Sequence, residues 1–263
     1  STGNSFFLRK KCKFIKLDLN NLKLLKKLIS KEKFDFIIHL AASTNVSESE
    51  KNKKKYYINN IKNTINLLRS IKGIKIKSFI FSSTAGVYGK SNLPVNENSP
   101  LNPSNYYSYT KKVCEKKIIE YSKKLKFNFI ILRYFNVCGS SNKDNIGQLN
   151  TLNDSLINNL SIQSNKLNPK VKIYGNNYET KDGTCVRDYI HVLDLASIHK
   201  KLINNYKKNK SIILNCGYGK GFSVMQVINK FQKIIKKKVT IKIEKKRKGD
   251  IPVSFANVKL LKH

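Results

Sequence analysis

Lys77-Ser78-Phe79-Ile80-Phe81-Ser82-Ser83-Thr84-Ala85-Gly86-Val87-Tyr88-Gly89 is the stretch that decides the fold. Lys77 to Ser83, with its Ser78-Phe79-Ile80-Phe81 core, reads as a strand ending in hydroxyl residues. Working outward, Ser108 to Lys124 is a helix and Phe127 to Tyr134 a second strand. On the other side, Tyr56 to Ile71 is an amphipathic helix, and Phe34 to Ala42 is a continuous apolar run, as expected of a buried parallel strand. Phe14 to Leu19 reads as a short strand closing near Asp18, and Leu22 to Ile29 carries apolar residues at helical spacing. Strands and helices alternating at this spacing predict βαβ units and an α/β fold with a parallel sheet. After Asn136 the regularity falls. Ser140 to Asn150 is polar loop, and a smaller lobe follows with a helix over Val224–Ile235 and a strand over Val239–Ile243.

Ligands in such sheets bind beyond the carboxyl ends of the strands. That rule selects Asp18, Ala41 to Thr44, Ser82 to Thr84, and Phe135-Asn136. Tyr107-x-x-x-Lys111 then opens the helix after the deciding strand. With 13 Tyr and 47 Lys in the chain, chance alone gives about two such pairs. Two occur, and the second, Tyr206/Lys210, lies in a Lys-rich turn with no strand before it. Context separates them. Residues four apart share a helix face. An ammonium near a phenol favours the phenolate and predicts a Tyr107 pKa below its usual value of about 10. A phenol tuned in this way can take a proton from a hydroxyl, with Thr84 orienting or relaying it. The alternative is a solvent-facing Tyr beside a solvated Lys.

The formal net charge of +36 suggests nucleic acid. Its distribution argues otherwise: the Lys are scattered, only five residues are Arg, and Lys and Asn share AT-rich codons. Weak, salt-sensitive binding to polyanions is the expectation. Three of the five Arg (Arg133, Arg187, Arg247) fall in the segments that carry chemistry. A guanidinium clamps phosphate oxygens in a way an ammonium does not; for Arg133 a purely structural role stays open. The five cysteines are widely spaced and never C-x-x-C, which fits a reducing compartment. His39, His191, His199 and His263 have no metal-ligand spacing. No run of about 18 apolar residues exists, and no leader is read at the start, so a cytoplasmic protein is expected.

These residues carry a resemblance to the extended short-chain dehydrogenase/reductase superfamily, and within it to the UDP-glucose 4-epimerase family. The matching segments are His39-Leu40-Ala41-Ala42 with Val46 and Glu48-Ser49, then Tyr56-Tyr57-x-Asn59-Asn60, Phe79 to Gly89, and Leu132-Arg133-Tyr134-Phe135-Asn136. The most specific stretch is Asp182-Gly183-Thr184-Cys185-Val186-Arg187-Asp188-Tyr189-Ile190-His191-Val192-x-Asp194-Leu195-Ala196, preceded by Ile173-Tyr174-Gly175 and followed later by Arg247-Lys248-Gly249-Asp250-Ile251-Pro252. The resemblance implies a Rossmann-like doubly wound parallel sheet lacking its first βαβ unit. Residues 1–136 would form an incomplete NAD-binding domain and 137–263 mainly a UDP-sugar lobe, the segment around 186–198 returning to the first domain. It implies NAD as cofactor, UDP-glucose and UDP-galactose as substrates, and C4 oxidation to a 4-keto sugar followed by reduction on the opposite face. Tyr107, Lys111 and Thr84 would be catalytic. Asp18, Leu19, Leu40, Ala41, Ala42, Asn59, Ser82 and Phe135 would contact NAD; Asn136, Arg187, Arg247, Asp250 and Ser254 would contact the UDP-sugar. A homodimer through the helices around 56–71 and 108–124 is implied as well.

The chain departs from the family in four places. It has no glycine-rich phosphate loop: Ser1 to Asn4 reads as the loop after the second strand, and Gly217-Tyr218-Gly219-Lys220-Gly221 reads as a turn of the substrate lobe. It stops soon after Phe255-Ala256-Asn257. On both counts it is expected to be a fragment, inactive as it stands. Thr44 stands where several family members have Lys. Ser254 is small where a Tyr would restrict the sugar, which leaves room for a UDP-N-acetylhexosamine. Competing readings are a UDP-glucuronate epimerase or decarboxylase, and a dehydratase, which Ala85-Gly86 in place of Asp-Glu disfavours. A noncatalytic basic nucleotide- or RNA-binding protein would leave Thr84, Tyr107, Lys111 and Arg187 without roles.

Overall fold

The structure, a computed structural model, describes residues 12–148, 155–205 and 210–262. The Ser1–Asn4 loop, the Tyr206 half of the chance motif and the last two residues of the 140–150 loop lie outside the described residues. In chain order the first half contains α1 (Leu22–Glu32), β1 (Phe36–His39), α2 (Val46–Lys51), α3 (Lys53–Tyr56), a π-helical turn over Tyr57–Lys62, α4 (Asn63–Ser70), β2 (Ser78–Thr84), a 3-10 turn over Ala85–Tyr88, α5 (Tyr106–Leu125), β3 (Asn128–Tyr134) and β4 (Asn136–Cys138). The second half adds α6 (Leu156–Ser164), β5 (Lys170–Tyr174), β6 (Val186–His191), α7 (Val192–Asn204), β7 (Ile212–Cys216), β8 (Gly221–Ser223), α8 (Val224–Ile235), β9 (Thr240–Glu244), β10 (Val253–Ser254) and α9 (Lys259–Lys262).

Four parallel strands in the order β1-β2-β3-β7 make the main sheet. Alternate β2 side chains feed opposite faces, as the pleat requires. Phe79 and Phe81 join Ile131 under α1, α4 and α5. Ile80 joins Ile130, Leu132 and Leu214 under α7, through Leu195. Helices on both faces give the doubly wound architecture expected from the sequence. The segment beginning at β6 passes back to this sheet through α7, and β7 extends it. The smaller lobe packs α6 and α8 on the β5–β9 pair around Leu160, Val171, Ile173, Ile228 and Val239. A third sheet, β10-β6-β4 with β8 on β6, lies between the two.

Two expectations are corrected. Phe14 to Leu19 is not a strand, because β1 pairs only with β2 and the segment has no ladder partner among the described residues. Instead Asp18 caps its own turn, accepting the backbone N–H of Asn20 at 2.9 Å. The Phe34–Ala42 strand shortens to β1, whose four residues face Ser78 to Phe81. As an edge strand it is not buried throughout: Ile38 is 42% exposed, and Leu40 beyond its end is 59% exposed. The predicted 56–71 helix is built as α3, the π turn and α4 in succession.

Candidate active site

The carboxyl ends of β2 and β3 lie side by side, with Thr84 in register with Tyr134. From Thr84 the chain enters the 3-10 turn, and Gly86 there meets the first turn of α5 so closely that a Cβ would sit 2.2 Å from Ser108 Oγ. A side chain at residue 86 would have to displace that hydroxyl. The close approach brings Tyr107 against Thr84, whose hydroxyl shares a hydrogen bond with the phenol and accepts the Gly86 N–H at 3.2 Å. Asn105 caps α5 by accepting the Ser108 N–H at 2.9 Å. One turn further along the same face, Lys111 is buried; its Nζ donates to the Ser82 carbonyl at 2.8 Å and stands 4.8 Å from the Phe81 ring centroid and 6.0 Å from that of Tyr107.

The electrostatics of this cluster correct the expected Tyr pKa. Burial pushes the Tyr107 phenol up to about 12, opposed by the Thr84 hydrogen bond. Burial also pulls Lys111 down to about 8, Glu115 acting the other way. Desolvation therefore outweighs the attraction between ammonium and phenolate, because Lys111 spends its hydrogen bond on a backbone carbonyl and faces the Tyr107 ring from 6.0 Å.

Thr84 and Tyr107 open into a cavity of about 1530 Å³ between the lobes. Its lining includes Thr44, Phe135, Asn136, Arg187, Arg247, Asp250 and Ser254. Arg187 donates to the carbonyls of Val186 (2.9 Å) and Pro252 (3.3 Å) and lies 3.9 Å from Asp250. The Arg247 guanidinium sits 3.6 Å over the Tyr174 ring. Ser254 is paired with Arg187 across β10 and β6. Tyr134, Cys185 and Tyr189 line the same space; all three fall inside the matching segments of the sequence, where nothing gave them a role.

The remaining candidates stand outside that lining. Lys111 and Ser82 lie behind the wall, with Ser82 Oγ donating to the His39 carbonyl at 3.1 Å. Leu40 and Ala41 are exposed and Ala42 is half-buried beyond the end of β1. Asn59, on the π turn, donates to Ser43 Oγ at 3.0 Å. Asp18 is exposed, its carboxyl held below the usual range by the Asn20 hydrogen bonds, while Leu19 packs on the core. Arg133 is structural: it forms a buried pair with Glu115 at 2.8 Å and donates to Tyr88 OH and the Glu97 carbonyl, each at 2.9 Å. Gly217-Tyr218-Gly219 holds a carboxylate of the chain itself. The Tyr218 and Gly219 N–H groups both bond Asp188 at 2.9 Å, and a Cβ on Gly217 would sit 2.5 Å from the same carboxylate. Among the described residues no group of three His, Cys, Asp or Glu could hold a metal ion.

A parallel doubly wound sheet with a tyrosine, a hydroxyl and a buried lysine beside its strand ends can, with the tyrosine as phenolate, take a proton from a substrate hydroxyl while the carbon gives up hydride to a dinucleotide. The chain belongs to the NAD dependent epimerase/dehydratase family, whose family model matches residues 1–217. It is 36% identical over 251 residues to the UDP-glucose 4-epimerase of Lactobacillus helveticus, covering 95% of this chain and 76% of that one. Among solved structures it is similar to the UDP-Glc/GlcNAc 4-epimerase of Campylobacter jejuni (38% identity, TM-score 0.79, 96% of this chain and 78% of that chain). It is also similar to the UDP-glucose 4-epimerase of Brucella ovis in complex with NAD (31% identity, TM-score 0.86, 94% and 77%).

Proposed function

We infer that this chain carries the site of an NAD-dependent UDP-hexose 4-epimerase, an isomerase that interconverts UDP-glucose and UDP-galactose through a 4-keto sugar. The observation that carries the reading is the grouping of Thr84 and Tyr107 at the end of β2, opening on the cavity that Arg187, Arg247 and Asp250 line, with Lys111 buried directly behind them. The named relatives support it.

The residues present fit the nicotinamide end of NAD. Leu40 to Ala42, Ser82 and Phe135 follow or end three adjacent parallel strands, and Leu40 leaves an apolar side chain open there. Lys111 would hold the nicotinamide ribose. The glycine turn of this chain is filled by Asp188 and does not serve a pyrophosphate. Bound there, NAD supplies hydride exchange at the sugar C4.

The chain's own residues do the rest. Burial keeps Tyr107 protonated in the chain alone, and its phenolate would be favoured beside the positive charge of bound NAD; that phenolate takes the proton of the 4-hydroxyl and returns it, while Thr84 orients the hydroxyl. Lys111 keeps a positive charge behind the phenol. Arg187 and Arg247 clamp the diphosphate bidentately, and Asn136 and Asp250 orient the rest of the nucleotide sugar. The 4-keto sugar turns between the two half-reactions, and the cavity of about 1530 Å³ leaves room for that turn.

Ser254 supports a wider substrate range. It lines the cavity beside Arg187 and adds little bulk, so a UDP-N-acetylhexosamine fits the reading too. A homodimer is supported by the exposed Tyr57 and Tyr109 on the π turn and α5, which a second copy would cover. The dispersed cysteines support a cytoplasmic location. We treat residues 1–136 as the cofactor domain and 137–263 mainly as the sugar lobe, with 186–198 and β7 returning to the first.

The test is UDP-galactose conversion by the 263-residue sequence, extended at both ends by the corresponding segments of its Lactobacillus relative and supplied with NAD. UDP-glucose should form, and Tyr107→Phe should lower kcat by about 10²–10⁴-fold. A folded, NAD-bound protein that converts neither UDP-galactose nor UDP-N-acetylgalactosamine would move the assignment to a uronate or another sister reaction.

A further inference from the structure

A helix leaves its first backbone N–H groups without partners inside the helix. In α5, the Asn105 side chain serves Ser108 and its carbonyl serves Tyr109 at 3.0 Å. The two donors before them, on Tyr106 and Tyr107, are served from another element. Glu50 Oε1 accepts the Tyr106 N–H at 2.7 Å, and Ser49 Oγ accepts the Tyr107 N–H at 3.0 Å.

These acceptors are fixed in direction. Ser49 is fully buried, and its own proton goes to the Val46 carbonyl at 2.6 Å, which leaves its lone pairs for Tyr107. Glu50 places one of only 16 acidic residues in the chain at a helix N-terminus, where a carboxylate is favoured. The helix that carries both is itself braced: Asn45 caps it through the Glu48 N–H at 2.8 Å, and Tyr56 OH donates to the Asn45 carbonyl at 2.5 Å. Its opening residues, Asn45, Val46 and Ser47, line the cavity. On the far side, Glu50 Oε2 lies 4.0 Å from Lys248, and Ser104 Oγ donates to the Gly249 carbonyl at 2.8 Å. Helix α2 therefore spans the cavity wall, the start of the Tyr107 helix and the segment bearing Arg247 and Asp250.

We propose that Ser49 and Glu50 are positioning residues for Tyr107, holding the first two N–H groups of α5 so that the phenol stays against Thr84. The proposal rests on the reading of Tyr107 as the proton-transfer group. Neither residue touches the reacting atoms. Each acts through the backbone of the residue that does, and a base displaced by a fraction of an ångström loses rate while substrate binding elsewhere in the cavity persists.

The test compares Ser49→Ala, Glu50→Leu and Glu50→Gln with the parent and with Tyr107→Phe, in the extended NAD-bound enzyme. Ser49→Ala and Glu50→Leu should lower kcat by about 10- to 100-fold and leave KM for UDP-galactose within about threefold. Glu50→Gln keeps an acceptor oxygen in place and should restore kcat to within about threefold of the parent. Unchanged kcat in both Ser49→Ala and Glu50→Leu, or a rise in KM with kcat intact, overturns the proposal. If Ser49→Ala does not fold, the Glu50 pair decides, since that side chain is partly solvent-facing. Amide exchange separates this proposal from the epimerase reading. The Tyr106 and Tyr107 amides should be protected in the parent; Glu50→Leu should expose the first and Ser49→Ala the second, whatever the activity. Unprotected amides in the parent, or a fully active Tyr107→Phe, overturn the proposal, whereas protected amides in an NAD-bound parent that converts neither UDP-hexose overturn the epimerase reading instead.

Discussion

At the residue scale, the buried polar groups make the sharpest predictions. His39 hydrogen-bonds Thr64 at 2.8 Å, and burial, with Lys111 adding to it, pulls its pKa from 6.5 to about 3. The fold holds it neutral while the unfolded chain takes up a proton, so its contribution is full above pH 6.5 and is lost as pH falls toward 3. Denaturant unfolding at pH 8, 6 and 4.5 should show that loss, on the order of 5 kcal/mol at its limit near pH 3, and His39→Gln should flatten it. Arg133 and Glu115 are each 3% exposed and paired at 2.8 Å. Arg133→Met alone should cost about 3–5 kcal/mol, and the double variant with Glu115→Leu should recover most of that; equal losses in both would count against the buried pair. The sequence showed that Tyr107 and Lys111 share a helix face, since that follows from spacing alone. It left the role of Arg133 open because the deciding partners, Glu115 and Glu97, come from other elements. It also missed the direction of the Tyr107 shift, since desolvation depends on packing that spacing does not record.

At the element scale, α5 is where sequence and geometry meet. The predicted helix differs from α5 by two residues at the start and one at the end, because Asn105 caps it and its last turn gives way at Lys126, which takes a left-handed conformation (φ 55°). Gly86→Ala should push that helix off the end of β2, since its new Cβ would sit 2.2 Å from Ser108 Oγ. A kcat loss of about tenfold or more is expected, relieved in the Gly86→Ala/Ser108→Ala double variant; no relief would place the fault elsewhere. The apolar runs of β2 and β3 were legible because central parallel strands are buried on both faces. The extent of β1 was not legible, because an edge strand lasts only as long as its single neighbour. Phe14 to Leu19 has a strand's composition without a partner, and composition cannot supply a ladder. The smaller-lobe elements α8 and β9 were found from periodicity, while α6 and β5 were not, because their amphipathic signal is short and interrupted by Lys and Asn.

At the scale of the whole molecule, the charge of +36 and the cavity make different claims. Scattered Lys side chains give binding to polyanions that should collapse as salt rises, whereas UDP-sugar affinity, which we propose rests on Arg187, Arg247 and shape, should change less. Titrating a short RNA and UDP side by side at low and moderate salt checks this. RNA affinity that survives salt better than UDP affinity would favour the nucleic-acid reading. No helix among the described residues is long and apolar enough to cross a membrane. The central claim, that hydride leaves C4 and comes back to it within one site, is tested most directly with UDP-galactose deuterated at C4. In the extended, NAD-supplied enzyme in ordinary water, the UDP-glucose formed should keep its deuterium at C4. Deuterium lost to solvent, or product formed unchanged in rate by Tyr107→Phe, would contradict the account.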